Sequence, residues 1–112
     1  MINLNIGLLQ DKREGRIVVL VDGDLKFSGR LGSSKPYQNA QEIAQAIRGE
    51  AKIPNAQVTL SPLSVSQFPK QLKTGQYGLV ARDHVAQIAE YLRSMNIPAV
   101  YEDNFQLKSE LD

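Results

Sequence analysis

The sequence predicts an α+β fold in which a small mixed sheet carries two helices. Residues 2–8 alternate apolar and polar side chains, which is the period of a strand with one buried face. Two later segments place apolar residues at helical spacing, and each is followed by Ile-Pro and a short apolar run. The chain has 112 residues, of which 42% are hydrophobic. We therefore expect one domain over residues 1–112, with an acidic tail over residues 103–112 that frays.

The N-terminal segments predict a β-meander. The alternating strand gives way to the polar residues 11–15, where Gly15 suits a reversal, and the aliphatic residues 17–21 predict a second strand. Asp22-Gly23 favours the positive φ angles of a type I′ turn into a third strand over residues 25–28. Two successive hairpins are therefore expected.

A repeated segment marks the two helix–strand units. Residues 43–48 recur as residues 88–93, and the two copies lead to Ile53-Pro54 and to Ile97-Pro98. A true duplication is one explanation of this likeness. Convergence is the other, because proline pushes the preceding residue toward extended geometry and so offers a common way to leave a helix. Either way the repeat predicts two helices on one sheet, with a core that includes Ile43, Ile47, Ile88 and Leu92.

Capping signals predict where the first helix begins and ends. Asn39 is a favoured N-cap residue, and Glu42 three residues later completes a capping box. The helix is expected from about Ala40 to Arg48, with Gly49 as its stop.

The second helix–strand unit follows a less regular connection. Ser66 and Gly75 predict a short helix between them, and residues 77–81 predict a buried strand. Asp83 is the expected N-cap of the second helix, and residues 99–101 predict the last strand. This succession suits a parallel crossover or, if another strand lies between, a ferredoxin-like arrangement.

Composition excludes several classes of site. The chain has no cysteine, which excludes disulfides, thiol catalysis and cysteine-based zinc sites. Its net charge is only +1, which by itself does not indicate nucleic acid or an acidic partner. No apolar run approaches the roughly 18 residues of a membrane span, and the N-terminus lacks the pattern of a signal peptide. We expect a cytoplasmic protein with no membrane partner and no cofactor.

Basic residues near the predicted hairpins form the first candidate site. Their side chains would contact the phosphates of a nucleic acid, with Lys26 and Arg30 on one face of a strand, although a solvated sheet face is the favoured explanation. These residues are Lys12, Arg13, Arg16, Lys26, Arg30 and Lys35.

Three other side chains carry weaker chemical hypotheses. Asp22 and Asp24 are spaced to hold Mg²⁺ or Mn²⁺ in a metal-dependent phosphodiesterase, but a tight hairpin favours the same residues. His84 follows Asp83 and would serve as a general base or stand as a surface histidine beside a helix cap.

Each catalytic hypothesis thus has a structural alternative. We therefore expect a small non-enzymatic interaction or assembly protein that contacts a protein partner or itself. Its size and lack of catalytic motifs are also typical of accessory proteins encoded by phages or plasmids. Nucleic-acid binding and metal-dependent phosphodiester cleavage are the alternatives.

Overall fold

The protein is an α+β fold in which a mixed five-stranded sheet carries two helices. The computed structural model describes residues 2–21, 31–50, 56–63 and 75–103. The strands are β1 (Ile2–Asp11), β2 (Ile17–Val21), β3 (Ala56–Pro62), β4 (Tyr77–Leu79) and β5 (Ala99–Tyr101). The α-helices are α1 (Pro36–Gln45), which continues as a π-helical turn over Ala46–Glu50, and α2 (Arg82–Ser94).

Strand β1 is the centre of the sheet, and the strand order is β2-β1-β3-β5. On one side β1 pairs with antiparallel β2, through a hairpin in which Gly15 takes a positive φ of 75°. On its other side, β3 pairs in parallel with residues 2–8, and β4 pairs antiparallel with Leu9–Asp11. The first predicted hairpin is confirmed, whereas the second, with Asp22-Gly23, lies outside the described residues.

The two helix–strand units of the repeat lie side by side. Helix α1 precedes β3 and α2 precedes β5, and β3 and β5 are parallel neighbours in the sheet. The four core residues predicted from the repeat are all buried, which confirms that both helices pack on the sheet through matching stripes: Ile43, Ile47, Ile88 and Leu92. Ile53-Pro54 and the short helix expected between Ser66 and Gly75 fall largely outside the described residues.

The sheet buries side chains on both of its faces. Adjacent residues of a strand point in opposite directions, so neighbours in one strand belong to different clusters. Leu8 belongs to the larger cluster under the helices, and its neighbour Leu9 belongs to a smaller cluster on the other face. That smaller cluster contains Leu9, Val18, Leu20, Leu63 and Tyr77. The unbroken aliphatic run of β2 is explained in this way, since its residues alternate between two apolar environments.

Helix α1 begins one turn earlier than the sequence predicts. Its N-cap is Lys35 and its first helical residue is Pro36, whose fixed φ and missing N–H suit that position. Asn39 is therefore inside the helix and fully buried, so the prediction that it is the N-cap is wrong. Glu42 does not form a capping box either, because its Oε2 accepts a hydrogen bond of 2.7 Å from the backbone N–H of Gly32.

Two other helix boundaries also differ from the prediction. Ala81 is the N-cap of α2 and makes no side-chain capping bond, so Asp83 lies in the first turn as an acidic residue near the positive end of the helix. Gly49 lies inside the π-helical turn over Ala46–Glu50 instead of following the helix. No helix in the described ranges is long and apolar enough to cross a membrane.

Helix α2 ends in a Schellman motif. Asn96 has a positive φ of 67°, its N–H donates to the Arg93 carbonyl, and the N–H of buried Ile97 donates to the Leu92 carbonyl. This geometry turns the chain from the helix toward β5.

Replacing Asn96 with alanine should cost about 1 kcal/mol of unfolding free energy, because a Cβ-bearing residue without a helpful polar group is disfavoured at positive φ. Asn96→Gly should be close to neutral, since glycine adopts that backbone freely but loses more entropy on folding. Urea denaturation of both variants measures the difference. Equal losses would show that the side chain of Asn96, and not its backbone conformation, stabilises this turn.

Candidate functional site

The helices α1 and α2 lie next to each other and run in the same direction. Near their beginnings, the side chains of Asn39 and His84 are hydrogen-bonded. Near their ends, Nη2 of Arg48 donates to the carbonyl oxygen of Met95. The two helices therefore present one continuous outer face.

A pair of tyrosines occupies this outer face. The rings of Tyr37 in α1 and Tyr91 in α2 meet edge to face, with centroids 5.2 Å apart and planes at 80°. Tyr37 is 46% exposed and Tyr91 is 37% exposed, so the pair is not part of the core. Nε2 of Gln41, one turn after Tyr37, donates to the Tyr37 hydroxyl at 3.4 Å.

Helix α1 exposes no charged side chain. Its exposed residues are Tyr37, Gln38, Gln41 and Gln45. Its one charged residue, Glu42, is partly buried and bonded to Gly32. In contrast, α2 exposes four charged residues, as solvated helices ordinarily do: Arg82, Asp83, Glu90 and Arg93. We call Tyr37, Gln38, Gln41, Gln45 and Tyr91 the tyrosine face.

A short chain of hydrogen bonds fixes the first turns of the two helices. Nδ2 of buried Asn39 donates to the Ser33 carbonyl at 2.8 Å, which leaves its Oδ1 to accept from Nε2 of His84, also at 2.8 Å. Partial burial lowers the pKa of His84 from its ordinary value. His84 is therefore neither a free surface histidine nor a base oriented by Asp83.

The sequence does not reveal the Asn39 contact, because its capping signals predict a start of α1 that lies one turn too late. Once α1 begins at Pro36, Asn39 falls on the same stripe as Ala40, Ile43 and Ala44, all of which are buried. The signal that indicates this start is proline, which is common at the first position of a helix. A polar residue on a buried stripe then requires a partner, and His84 provides it.

A second polar group links the start of α2 to the end of β5. The Tyr101 hydroxyl donates to Oδ1 of Asp103, and Nε of Arg82 lies 3.5 Å from the same oxygen. Loss of solvation raises the pKa of Tyr101, and the hydrogen bond to Asp103 raises it further. These contacts fasten the chain after β5 to the beginning of α2.

The basic candidates that the structure describes lie toward the end of the sheet where β1 finishes, at Asp11. Lys12 and Arg13 are in the β1–β2 turn, and Arg16 near its end has its Nε 3.9 Å from Oε1 of Glu14. Lys35 immediately precedes α1, and the bond from the Leu31 N–H to the Ile17 carbonyl brings this segment close to the turn. Lys26 and Arg30 lie outside the described residues, so nucleic-acid binding by these basic residues stays a prediction.

The metal hypothesis stays a prediction too. Asp22 and Asp24 lie outside the described residues. In the part of the chain that the structure describes, no group of three or more His, Cys, Asp or Glu residues is arranged to hold a metal ion.

Comparison with known proteins adds no functional information. No family model, curated protein or solved structure matches the chain. Of the surfaces described above, the tyrosine face is the one whose composition departs most clearly from that of an ordinary solvated surface.

Proposed function

We propose that this protein is a small non-enzymatic assembly protein that binds a second copy of itself through the tyrosine face. The observation that carries the proposal is the lack of exposed charge on α1, beside an exposed tyrosine pair. Centres of protein interfaces are depleted in charged residues and enriched in tyrosine.

The lack of charge favours a second copy as the partner. In a two-fold contact each patch meets the same patch on the other subunit, so any net charge on it opposes itself. The exposed residues of α1 are neutral and meet their own copy without that cost. An acidic or basic partner would gain little from the tyrosine face, because the exposed residues of α1 have no charge with which to form ion pairs.

The hydrogen-bonding groups of the tyrosine face can also pair with the same groups of a second copy. A glutamine amide and a tyrosine hydroxyl each donate and accept, so Gln41 and Tyr37 can pair with the same residues of a second copy. The tyrosine rings supply apolar area with few rotatable bonds, so ordering them costs little entropy. The two helices hold the rings in contact before binding, which reduces that cost further.

Replacing Gln41 with lysine should weaken self-association at least about tenfold, because a two-fold contact places the two added charges close together. Gln41 is exposed on a helix and lysine is a good helix former, so the fold should be unaffected. Glu90→Gln is the matched control, since it changes the charge by the same amount on the charged surface of α2. Sedimentation velocity over a concentration series measures both dissociation constants.

Mixing experiments make the test sharper. Gln41→Glu alone should also weaken association, whereas an equimolar mixture of the Gln41→Lys and Gln41→Glu variants should recover it through opposite charges. A wild-type protein that stays monomeric at high micromolar concentration, or a Gln41→Lys variant that associates as well as the control, would overturn the proposal. A shift in mass that occurs only with added nucleic acid at low salt would instead favour the nucleic-acid hypothesis.

A further inference from the structure

Strand β5 lies at an edge of the sheet. It pairs with β3 on one side, and no other described strand lies beyond it. Two backbone bonds show which of its residues face β3. The Pro98 carbonyl accepts from the Val58 N–H at 2.8 Å, and the Glu102 N–H donates to the Leu60 carbonyl at 2.9 Å. Residues at the alternate positions of β5 therefore direct their backbone groups away from β3, toward the outer edge.

The backbone groups at this outer edge belong to Ala99 and Tyr101. The N–H and C=O groups of an edge strand can pair with a strand of another chain, and proteins often oppose such pairing with charged side chains on the edge. The three residues of β5 have no charged side chain, and Val100 is 44% exposed. The strand itself therefore offers no charge that would repel a second strand.

A guanidinium group from α2 occupies the edge instead. Nη1 of Arg93 donates to the Ala99 carbonyl at 2.8 Å. An added strand would place its own N–H donor about 2.9 Å from that same oxygen, with its backbone about 4.8 Å from β5. The guanidinium and the added strand cannot share this position. Arg93 lies in the last turn of α2, so the helix holds its side chain at the edge.

The strand that best fits this edge is β5 of a second copy. In an antiparallel pair centred on Val100, Ala99 of each copy lies opposite Tyr101 of the other, and each of these two pairs exchanges two backbone hydrogen bonds. Val100 then lies opposite its own copy in a non-hydrogen-bonded pair, where facing side chains are closest. The two exposed valine side chains would cover each other. One two-fold contact thus satisfies the outward groups of both copies.

We propose that the outer edge of β5 is a second self-association surface, and that Arg93 closes it against β5 of another copy. The edge opens when the guanidinium leaves the Ala99 carbonyl. A chain that used both this edge and the tyrosine face would extend its assembly beyond a pair, so Arg93 limits association to one surface. Only that limit on assembly size rests on the proposed function, because the closure of β5 does not depend on the tyrosine face.

Replacing Arg93 with alanine tests the closure. The parent protein for this experiment is the Gln41→Lys variant, in which association through the tyrosine face should be weak. Adding Arg93→Ala should lower the dissociation constant for self-association at least about tenfold, as measured by sedimentation velocity over a concentration series. Arg93 is exposed and alanine is a good helix former, so α2 should stay folded. Arg16→Ala is the matched control, since it removes the same charge from an exposed arginine beside the β1–β2 turn.

A charge placed on β5 should reverse the effect. Adding Val100→Lys to Arg93→Ala should restore the dissociation constant of the parent, because the two lysines would lie opposite each other at the centre of the contact. The exposed position of Val100 accommodates the longer side chain. Association that persists with Val100→Lys would overturn the inference. Equal dissociation constants for the Arg93→Ala and Arg16→Ala variants would overturn it too.

Hydrogen exchange locates the contact. In the Arg93→Ala variant, the amides of Ala99 and Tyr101 should exchange at least about tenfold more slowly at high than at low protein concentration, because pairing converts them to ladder donors. Association without slower exchange at these two amides would overturn the inference. The wild type compared with Gln41→Lys alone tests the tyrosine face, so the proposed function can fail while the inference about β5 stands.

Discussion

Replacing Asp11 with alanine is expected to destabilise the protein by about 3 kcal/mol. The Asp11 side chain is fully buried at the end of β1, and its Oδ1 accepts from the backbone N–H groups of Arg13 at 2.9 Å and Glu14 at 3.3 Å. Its Oδ2 accepts from Nε2 of Gln76 at 3.3 Å. Alanine would leave these donors without their acceptor in a turn that also joins β1 to the segment before β4.

The matched control is Asp11→Asn, which keeps an oxygen acceptor for the two backbone donors. Its new NH₂ group can face the oxygen of Gln76 once that amide turns over, so we expect a loss of about 1 kcal/mol. Urea denaturation followed by circular dichroism measures both variants. If asparagine costs as much as alanine, the negative charge of Asp11 and not its acceptor geometry stabilises the turn.

The order of the elements could be predicted from local patterns. Alternation over residues 2–8, the glycine at position 15 and the repeated helix–strand segment each depend on neighbouring residues, and each is confirmed. The α+β class follows from them because two helices and several strands must bury their apolar sides against one another. In contrast, β3 and β4 pair with successive parts of the same side of β1. That arrangement depends on pairing between distant segments, which no local pattern encodes.

The beginnings of the helices were the least predictable feature. Asn39 and Asp83 are good N-cap residues by type, but the helices begin at Pro36 and Arg82. The consequence is chemical, because Asn39 became a buried amide that binds His84. Local propensity cannot reveal that contact, since the two residues are 45 positions apart.

The tyrosine face also required the structure. In the sequence, Tyr37 and Tyr91 stand in separate segments, and nothing in either segment indicates that their rings meet. The sequence shows only in part that α1 exposes no charge, because the helix contains Glu42. The structure shows that Glu42 is partly buried and bonded to Gly32. The site proposed from the structure therefore differs from the basic and acidic residues selected from the sequence alone.

Gly7→Ala is expected to destabilise the protein by about 2 kcal/mol. A Cβ atom added at Gly7 would lie 2.5 Å from Cδ1 and 2.6 Å from Cγ of Leu63, far inside van der Waals contact. Leu63 is fully buried in the smaller cluster and its N–H donates to the Leu8 carbonyl, so its side chain has little room to withdraw. Gly7 thus allows the segment after β3 to cover the centre of β1.

Gly49→Ala is the control for this prediction, because a Cβ there meets no atom within 4 Å and alanine reduces the entropy of the unfolded chain. We expect that control to be neutral or to gain up to about 1 kcal/mol. Leu63→Ala should cost about 3 kcal/mol alone, and adding Gly7→Ala to it should cost much less than in the wild type, because the clash is then absent. Additive losses in this double-mutant cycle would show that Gly7 is required for a reason other than the Leu63 side chain.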